Sequence, residues 1–296
     1  MAITLTQSKA WHVQTSGTTN PLAFTAAVSS GGCVTVYIAY DSTATISTIL
    51  DDKSNSYAVK NTITETPDAI KISQAVLGNI TNGPTTITVT FTGTVANTAV
   101  SIAEWAGISA VADPTDIAGG QMVASSANPT SGNVTTTVDG DLVTGFAVNG
   151  STNVIYTVGS GFTAGQSTGT FFTSTSSLAW EWLVQATHGA IAGTWVDATA
   201  TNYAANVLTL KAAAAGGGAL PFNQTDWAKP RRVSKAPFDL SVSLNPNLFK
   251  NNIPILNLSG ATDGWGYVNP LPPQPAYNAA LYTVTTTVTL MGQVWC

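Results

Sequence analysis

Thr85-Thr86-Ile87-Thr88-Val89-Thr90-Phe91-Thr92 alternates hydroxyl-bearing with branched or aromatic side chains. A period of two puts an apolar face on one side of the segment and a polar face on the other, and β-branched residues favour the extended backbone this requires. The same alternation recurs through most of the first 211 residues, whereas the i, i+3, i+4 spacing of an amphipathic helix is nearly absent. Strands are predicted over 22–28, 33–40, 45–50, 56–60, 69–76, 85–92 and 98–105. After a loop rich in Gly, Pro and Ser, further strands are predicted over 134–138, 142–148, 154–158, 178–186, 193–198 and 206–210. Asn82-Gly83-Pro84 and Asp139-Gly140 supply residues that tolerate a left-handed backbone, and residues 134–143 read as strand, turn and strand, a hairpin. Short strands spaced by turns predict an all-β body over residues 1–211, a jelly-roll-like or Ig-like β-sandwich.

The composition changes after Lys211. Ala212-Ala213-Ala214-Ala215-Gly216-Gly217-Gly218-Ala219 reads as a linker over 212–219. From 220 to 296 prolines are frequent (Pro221, Pro230, Pro237, Pro246, Pro254, Pro270, Pro272, Pro273, Pro275), and only 281–290 has the pattern of a strand. Each proline lacks the N–H that a ladder needs, so this region cannot easily build a sheet of its own. Yet Phe222, Trp227, Phe249, Trp265 and Trp295 are large apolar groups that need cover. The expectation is an extended C-terminal arm whose aromatics are assembly contacts with neighbouring subunits. Residues 1–211 hold five basic and twelve acidic side chains, and residues 212–296 hold five basic and three acidic ones. Arg231 and Arg232, the only arginines, are expected to meet carboxylates or carbonyls of another copy.

Only 8% of residues are charged while 44% are hydrophobic, so the chain has ample material for a core and a surface dominated by neutral hydroxyls. A net charge of −5 argues against a nucleic-acid partner, which would require clustered Lys and Arg. No run of about 18 apolar residues spans a membrane, and Met1-Ala2-Ile3-Thr4-Leu5-Thr6 lacks the charged and apolar regions of a secretory signal. The expectation is synthesis in a cytoplasm without a membrane partner. A virion protein, assembled inside a host and released by lysis, reconciles that with the low-charge, Thr-rich composition.

Resources for catalysis are scarce. His12 and His188 stand in no metal-binding spacing, and there is no Gly-x-Ser-x-Gly elbow, phosphate loop or zinc motif. No enzymatic activity, catalytic residue, metal or cofactor is therefore expected. The acids that could serve glycoside hydrolysis are Asp51-Asp52, Glu104, Asp113 with Asp116, Asp139 with Asp141, and Glu181. Alternation places Glu181 opposite Trp180 and Trp182, which reads as a solvent-facing acid behind a core tryptophan pair. Asp51-Asp52-Lys53-Ser54-Asn55 is too short for an EF-hand loop and is better explained by Asx-type backbone bonding. Cys33 reads as a buried strand residue. Cys296 is a terminal thiol and a candidate cross-link to another copy or to a second virion protein, since bridging to Cys33 would need Cα atoms within about 7 Å.

The order Leu50-Asp51-Asp52-Lys53-Ser54-Asn55-Ser56-Tyr57, Thr86-Ile87-Thr88-Val89-Thr90-Phe91, Ala103-Glu104-Trp105-Ala106-Gly107 and Thr136-Thr137-Val138-Asp139-Gly140-Asp141-Leu142-Val143 resembles β-sandwich virion proteins of tailed bacteriophages. Pro221-Phe222-Asn223-Gln224-Thr225-Asp226-Trp227-Ala228-Lys229-Pro230-Arg231 is similar to the aromatic, proline-rich arms of such proteins. The resemblance implies a capsid-decoration, head-fibre or tail-associated role. Its partners would be other copies of the chain and other virion proteins such as a major capsid protein, and it transfers no active site. The alternative is a carbohydrate-binding or adhesin module with tryptophans on a strand face as a sugar platform, so a glycan partner stays open.

Overall fold

A computed structural model describes residues 2–150, 156–168, 177–197 and 199–213. The first eight strands are β1 (Thr4–Gln14), β2 (Gly17–Ala23), β3 (Gly32–Asp41), β4 (Ile46–Asp51), β5 (Ala58–Glu65), β6 (Ile70–Ile80), β7 (Thr86–Val95) and β8 (Thr98–Ala106). They form a five-stranded sheet in the order β1-β8-β3-β6-β5 and a three-stranded sheet in the order β2-β7-β4. First pairs with eighth, second with seventh and third with sixth, all antiparallel. This is a ribbon wrapped on itself, the jelly-roll connectivity, and not the Ig order, in which the first and last strands are not neighbours.

The remaining strands are β9 (Thr115–Ser126), β10 (Val134–Thr135), β11 (Asp141–Asn149), β12 (Thr157–Val158), β13 (Thr163–Thr168), β14 (Ser177–Gln185), β15 (Ala190–Ile191), β16 (Trp195–Val196) and β17 (Thr201–Leu210). Their large sheet runs β9-β17-β11-β14-β13, which is again first, last, third, sixth and fifth. β10 pairs with β15 and β12 with β16, so the seventh strand of this half is split in two. The chain therefore makes the same wrap twice. The third strands align as Val34-Thr35-Val36-Tyr37-Ile38-Ala39 with Val143-Thr144-Gly145-Phe146-Ala147-Val148. Both first strands carry an irregularity at matching places, between Leu5 and Gln7 and between Thr115 and Ala118.

The layers stack through shared cores. Val34, Val36, Ile38, Val100 and Ile102 meet Ile49, Ile87, Val89 and Phe91 between the first repeat's two sheets. On the other face of the same five-stranded sheet, Cys33, Tyr37, Ala39, Ile72 and Trp105 meet Leu142, Phe146, Leu178, Trp180 and Leu208 of the second repeat. Beyond that lie Tyr156, Trp195 and Tyr203, and a smaller group of Val134, Val143 and Val207, under the two short ribbons. Both large sheets are thus covered on both faces, which is why residues 33–40 and 141–149 are buried without interruption and read as near-continuous apolar runs.

The two large sheets pack face to face with β1 against β13 and β5 against β9, so the first strand of each repeat lies beside the fifth of the other. Tyr37 and Phe146 hold equivalent positions and touch each other edge to face, with ring centroids 5.9 Å apart. Trp180 stacks on Tyr37 at 4.7 Å and 5°, and its Nε1–H donates to Ser101 Oγ at 3.0 Å.

Three sequence expectations need correction. Residues 134–143 are not a hairpin, because β11 has both edges taken by β14 and β17 while β10 pairs with β15. The turn exists, with Gly140 at φ 82°, but it carries the chain from one layer to the next. Gly83, at φ 60°, does the same between β6 and β7. Third, part of the expected loop after Trp105 is the 12-residue strand β9. Its Gly120 packs so closely that a Cβ would lie 2.6 Å from Ile63, and its half-buried faces erase the alternation.

Candidate functional site

Six acidic residues are buried as whole residues among those described: Asp51, Glu65, Glu104, Asp141, Glu181 and Asp197. Burying a charge is costly unless donors surround it, so each location reveals what the acid does. Asp51 accepts the N–H groups of Lys53 and Asn55, both at 2.9 Å, the Asn55 side-chain amide at 2.7 Å and the Tyr57 hydroxyl at 3.0 Å. Asp52 binds the N–H and hydroxyl of Thr85 at 2.9 and 3.0 Å. Here the Asx-type bonding expected of this loop is observed, and the oxygens that could have faced a cation are engaged by the chain's own donors.

Glu181 corrects the sequence reading. Alternation is right about the face, since Trp180 and Trp182 pack into the central core and Glu181 points the other way. That face is not solvent, because the loops around β12 and β16 cover it. Glu181 accepts the Gly159 N–H at 3.0 Å and the Thr194 N–H at 2.7 Å, one on each oxygen, and so staples both loops to the sheet. Desolvation pushes its carboxyl up to about 8, against the pull of those two donors.

Glu104 accepts the Ser29 N–H at 2.8 Å and the Gln7 side-chain amide at 2.5 Å. Its neighbour Trp105 points into the central core, so Glu104 faces the three-stranded sheet of the first repeat. Glu104 and Glu181 therefore lie on opposite outer sides of the two packed five-stranded sheets. Stacked sheets are about 10 Å apart, whereas the two acids of a glycosidase sit about 5–9.5 Å apart across one bond. This pair cannot flank a substrate.

The remaining acids pair differently from their order in the chain. Asp113 meets Lys60 at 2.7 Å, and Asp139 meets His188 Nδ1 at 2.6 Å, an exposed contact in which the His188 N–H and ring hold the carboxyl below its usual range. Asp116 and Asp141, one partner from each sequence pair, are brought together instead, flanking the residue pairs that Leu210 makes with Thr115 and with Leu142. Sequence reasoning placed both acids among the candidates but missed this juxtaposition, because it depends on β9 and on the turn after Val138. His12 Nδ1 is 2.7 Å from Asn20 Oδ1, a structural contact between β1 and β2. Cys33 is buried as expected, and desolvation pushes its thiol well above the usual range.

The tryptophans of the described residues are turned inward. Trp105, Trp180 and Trp195 are fully buried, and Trp11 and Trp182 pack against the central core. Among the described residues every exposed large hydrophobic side chain is a valine or leucine, so none offers an aromatic platform to a sugar. The outer face of the three-stranded sheet places Thr19 beside Thr90 beside Thr48 and Pro21 beside Thr88 beside Leu50. The one charged residue in its three strands, Asp51, is buried. The expected assembly contacts Phe222, Trp227, Arg231, Arg232, Phe249, Trp265 and Trp295, and the thiol of Cys296, lie outside the described residues.

No family model, curated protein or solved structure matches this chain.

Proposed function

We propose that this chain is a non-enzymatic structural protein of a tailed-phage particle, one that decorates or stabilises the particle through its β body and a C-terminal arm over 220–296. The observation that carries this reading is how its chemistry is used. Among the described residues the buried acids tie loops to sheets or to one another, the tryptophans fill cores or pack against them, and an outward sheet face is uncharged and hydroxyl-bearing. Jelly rolls serve in viral capsids, lectins and cupins, so the fold is compatible with this role and does not by itself select it. The lectin-like alternative draws no support from the buried tryptophans.

The reading is tested by quantitative mass spectrometry of gradient-purified particles from a lysate that expresses the chain. A fixed stoichiometric ratio to the major capsid protein, retained through a salt wash, supports it. Absence from intact particles, with the chain free in the soluble fraction, overturns it.

A further inference from the structure

The second repeat brings two carboxyl groups together with too few donors for both. Asp141, the first residue of β11, is wholly buried, and Asp116 on β9 has 2% of its side chain exposed. Asp116 accepts the Thr137 N–H at 2.6 Å and the Thr137 hydroxyl at 2.5 Å, and Lys211 Nζ is 3.6 Å away. Asp141 Oδ1 accepts the Ala212 N–H at 3.3 Å, while its buried Oδ2 has no donor other than what a proton could supply. The pairing register brings them together, since Leu210 of β17 pairs with both Thr115, next to Asp116, and Leu142, next to Asp141.

One half-exposed lysine cannot neutralise two buried carboxylates, and like charges in contact do not both ionise readily. A proton on Asp141 Oδ2 resolves this by turning the orphaned oxygen into a donor toward Asp116. Desolvation and then the charge of Asp116 push the Asp141 carboxyl up to about 6. Burial pushes Asp116 the same way, but the Thr137 hydroxyl and N–H outweigh it and leave that carboxyl below its usual range. The remaining nearby charges, Lys60 with Asp113 before β9 and Asp139 with His188 at the turn, are already paired. The matching corner of the first repeat needs no proton, because there Gln7 donates its amide to Glu104.

The pair sits where the chain leaves β17. The Ser109 N–H donates to the Lys211 carbonyl at 2.9 Å, Ala212 bridges Ile108, and the Ala213 N–H donates to the Gly107 carbonyl at 2.7 Å. We propose that Asp116 and Asp141 share one proton, and that this proton is a latch holding residues 211–213 on the body. Its loss to solvent leaves two desolvated carboxylates repelling each other, a cost that outweighs the stronger Ala212 N–H bond to the ionised acid and is relieved when residues 211–213 open to water. The sign follows from linkage: an acid whose proton is held more tightly in the folded state contributes stability that is complete below pH 3.8 and lost as pH rises through about 6.

Hydrogen exchange of the full-length chain, corrected for intrinsic exchange rates, tests the latch. Protection of the Ala212 and Ala213 amides should fall about tenfold from pH 5 to pH 7.5, the order expected when one proton is released. Asp141→Asn supplies a permanent amide donor and should keep protection flat across that range. Asp116→Asn removes the repulsion from the other side and should flatten it too, which keeps the test usable if one variant fails to fold. A wild-type profile as flat as the variants, or a loss of protection spread over all strands, overturns the proposal. Recovery of protection at pH 7.5 by millimolar calcium overturns it as well, since the pair would then be a cation site.

Discussion

Trp180 packs between the two repeats, and Trp180→Ala is the perturbation that weighs their shared core. The indole is 1% exposed, stacks on Tyr37 at 4.7 Å, meets Trp105 edge to face at 6.3 Å, and lies so close to Gly165 that a Cβ there would be 2.1 Å from it. Emptying such a site costs about 3–5 kcal/mol, and the ring pairs carry about 0.5–1.5 kcal/mol of specific geometry, a contribution that overlaps the first. Ser101 Oγ loses the indole N–H but still donates to the Lys9 carbonyl at 2.7 Å, so no buried donor is stranded. The expected loss is about 4–5 kcal/mol, read as a lower urea midpoint at constant slope by circular dichroism. Combining Trp180→Leu with Tyr37→Leu in a cycle should give a coupling of about 1 kcal/mol across the interface. Because Tyr37 belongs to the first repeat and Trp180 to the second, both repeats should lose stability together. A loss under about 1 kcal/mol, or one confined to residues 115–210 in hydrogen exchange, would refute the reasoning that the repeats share one core.

Glu181 is expected to make stability pH-dependent in the direction set by its raised carboxyl: its contribution is complete below pH 4.5 and fades as pH rises through about 8. Glu181→Gln should flatten that slope in urea titrations across pH 5 to 8, at a cost of about 1–3 kcal/mol because its amide N–H₂ faces a backbone donor; an unchanged slope counts against the assignment. Deleting residues 220–296 should leave a soluble body with the same β-type circular dichroism that no longer joins particles, and an unfolded product would mean that these residues complete the body's own core. Arg231→Ala with Arg232→Ala should weaken assembly most at low salt, where surface charges are least screened, and assembly unchanged at every salt concentration would remove the arginines from the interface.

How much was legible from sequence differs by element. Residues 33–40, 69–76, 98–105 and 142–148 announce strands because β-branched and apolar side chains dominate segments buried on both faces. β1 and β9 announce little, because they are edge strands with half-buried faces, irregular pairing and, in β9, two consecutive glycines. The repeat was hidden because its signal is strand order, not residue identity: Trp105 and Leu210 fill equivalent positions, as do Gln74 and Trp180. The turns misled for a related reason. Asp139-Gly140 and Asn82-Gly83 specify a reversal of local backbone, but whether the reversed strands pair depends on what else competes for their edges. At Glu181 the period of two gave the correct face and the wrong environment, since the covering loops around Gly159 and Thr194 come from elsewhere in the chain. The Asp116–Asp141 contact arises from tertiary folding alone.

A structural role in a particle can be seen by electron cryomicroscopy of intact particles made with and without the chain. If the chain has that role, density will stand at symmetry-repeated positions, absent from the deletion particles, and the stack of two five-stranded sheets with its smaller outer sheets will fit it without rebuilding. Identical maps from both preparations, with the chain present in the lysate, would contradict it.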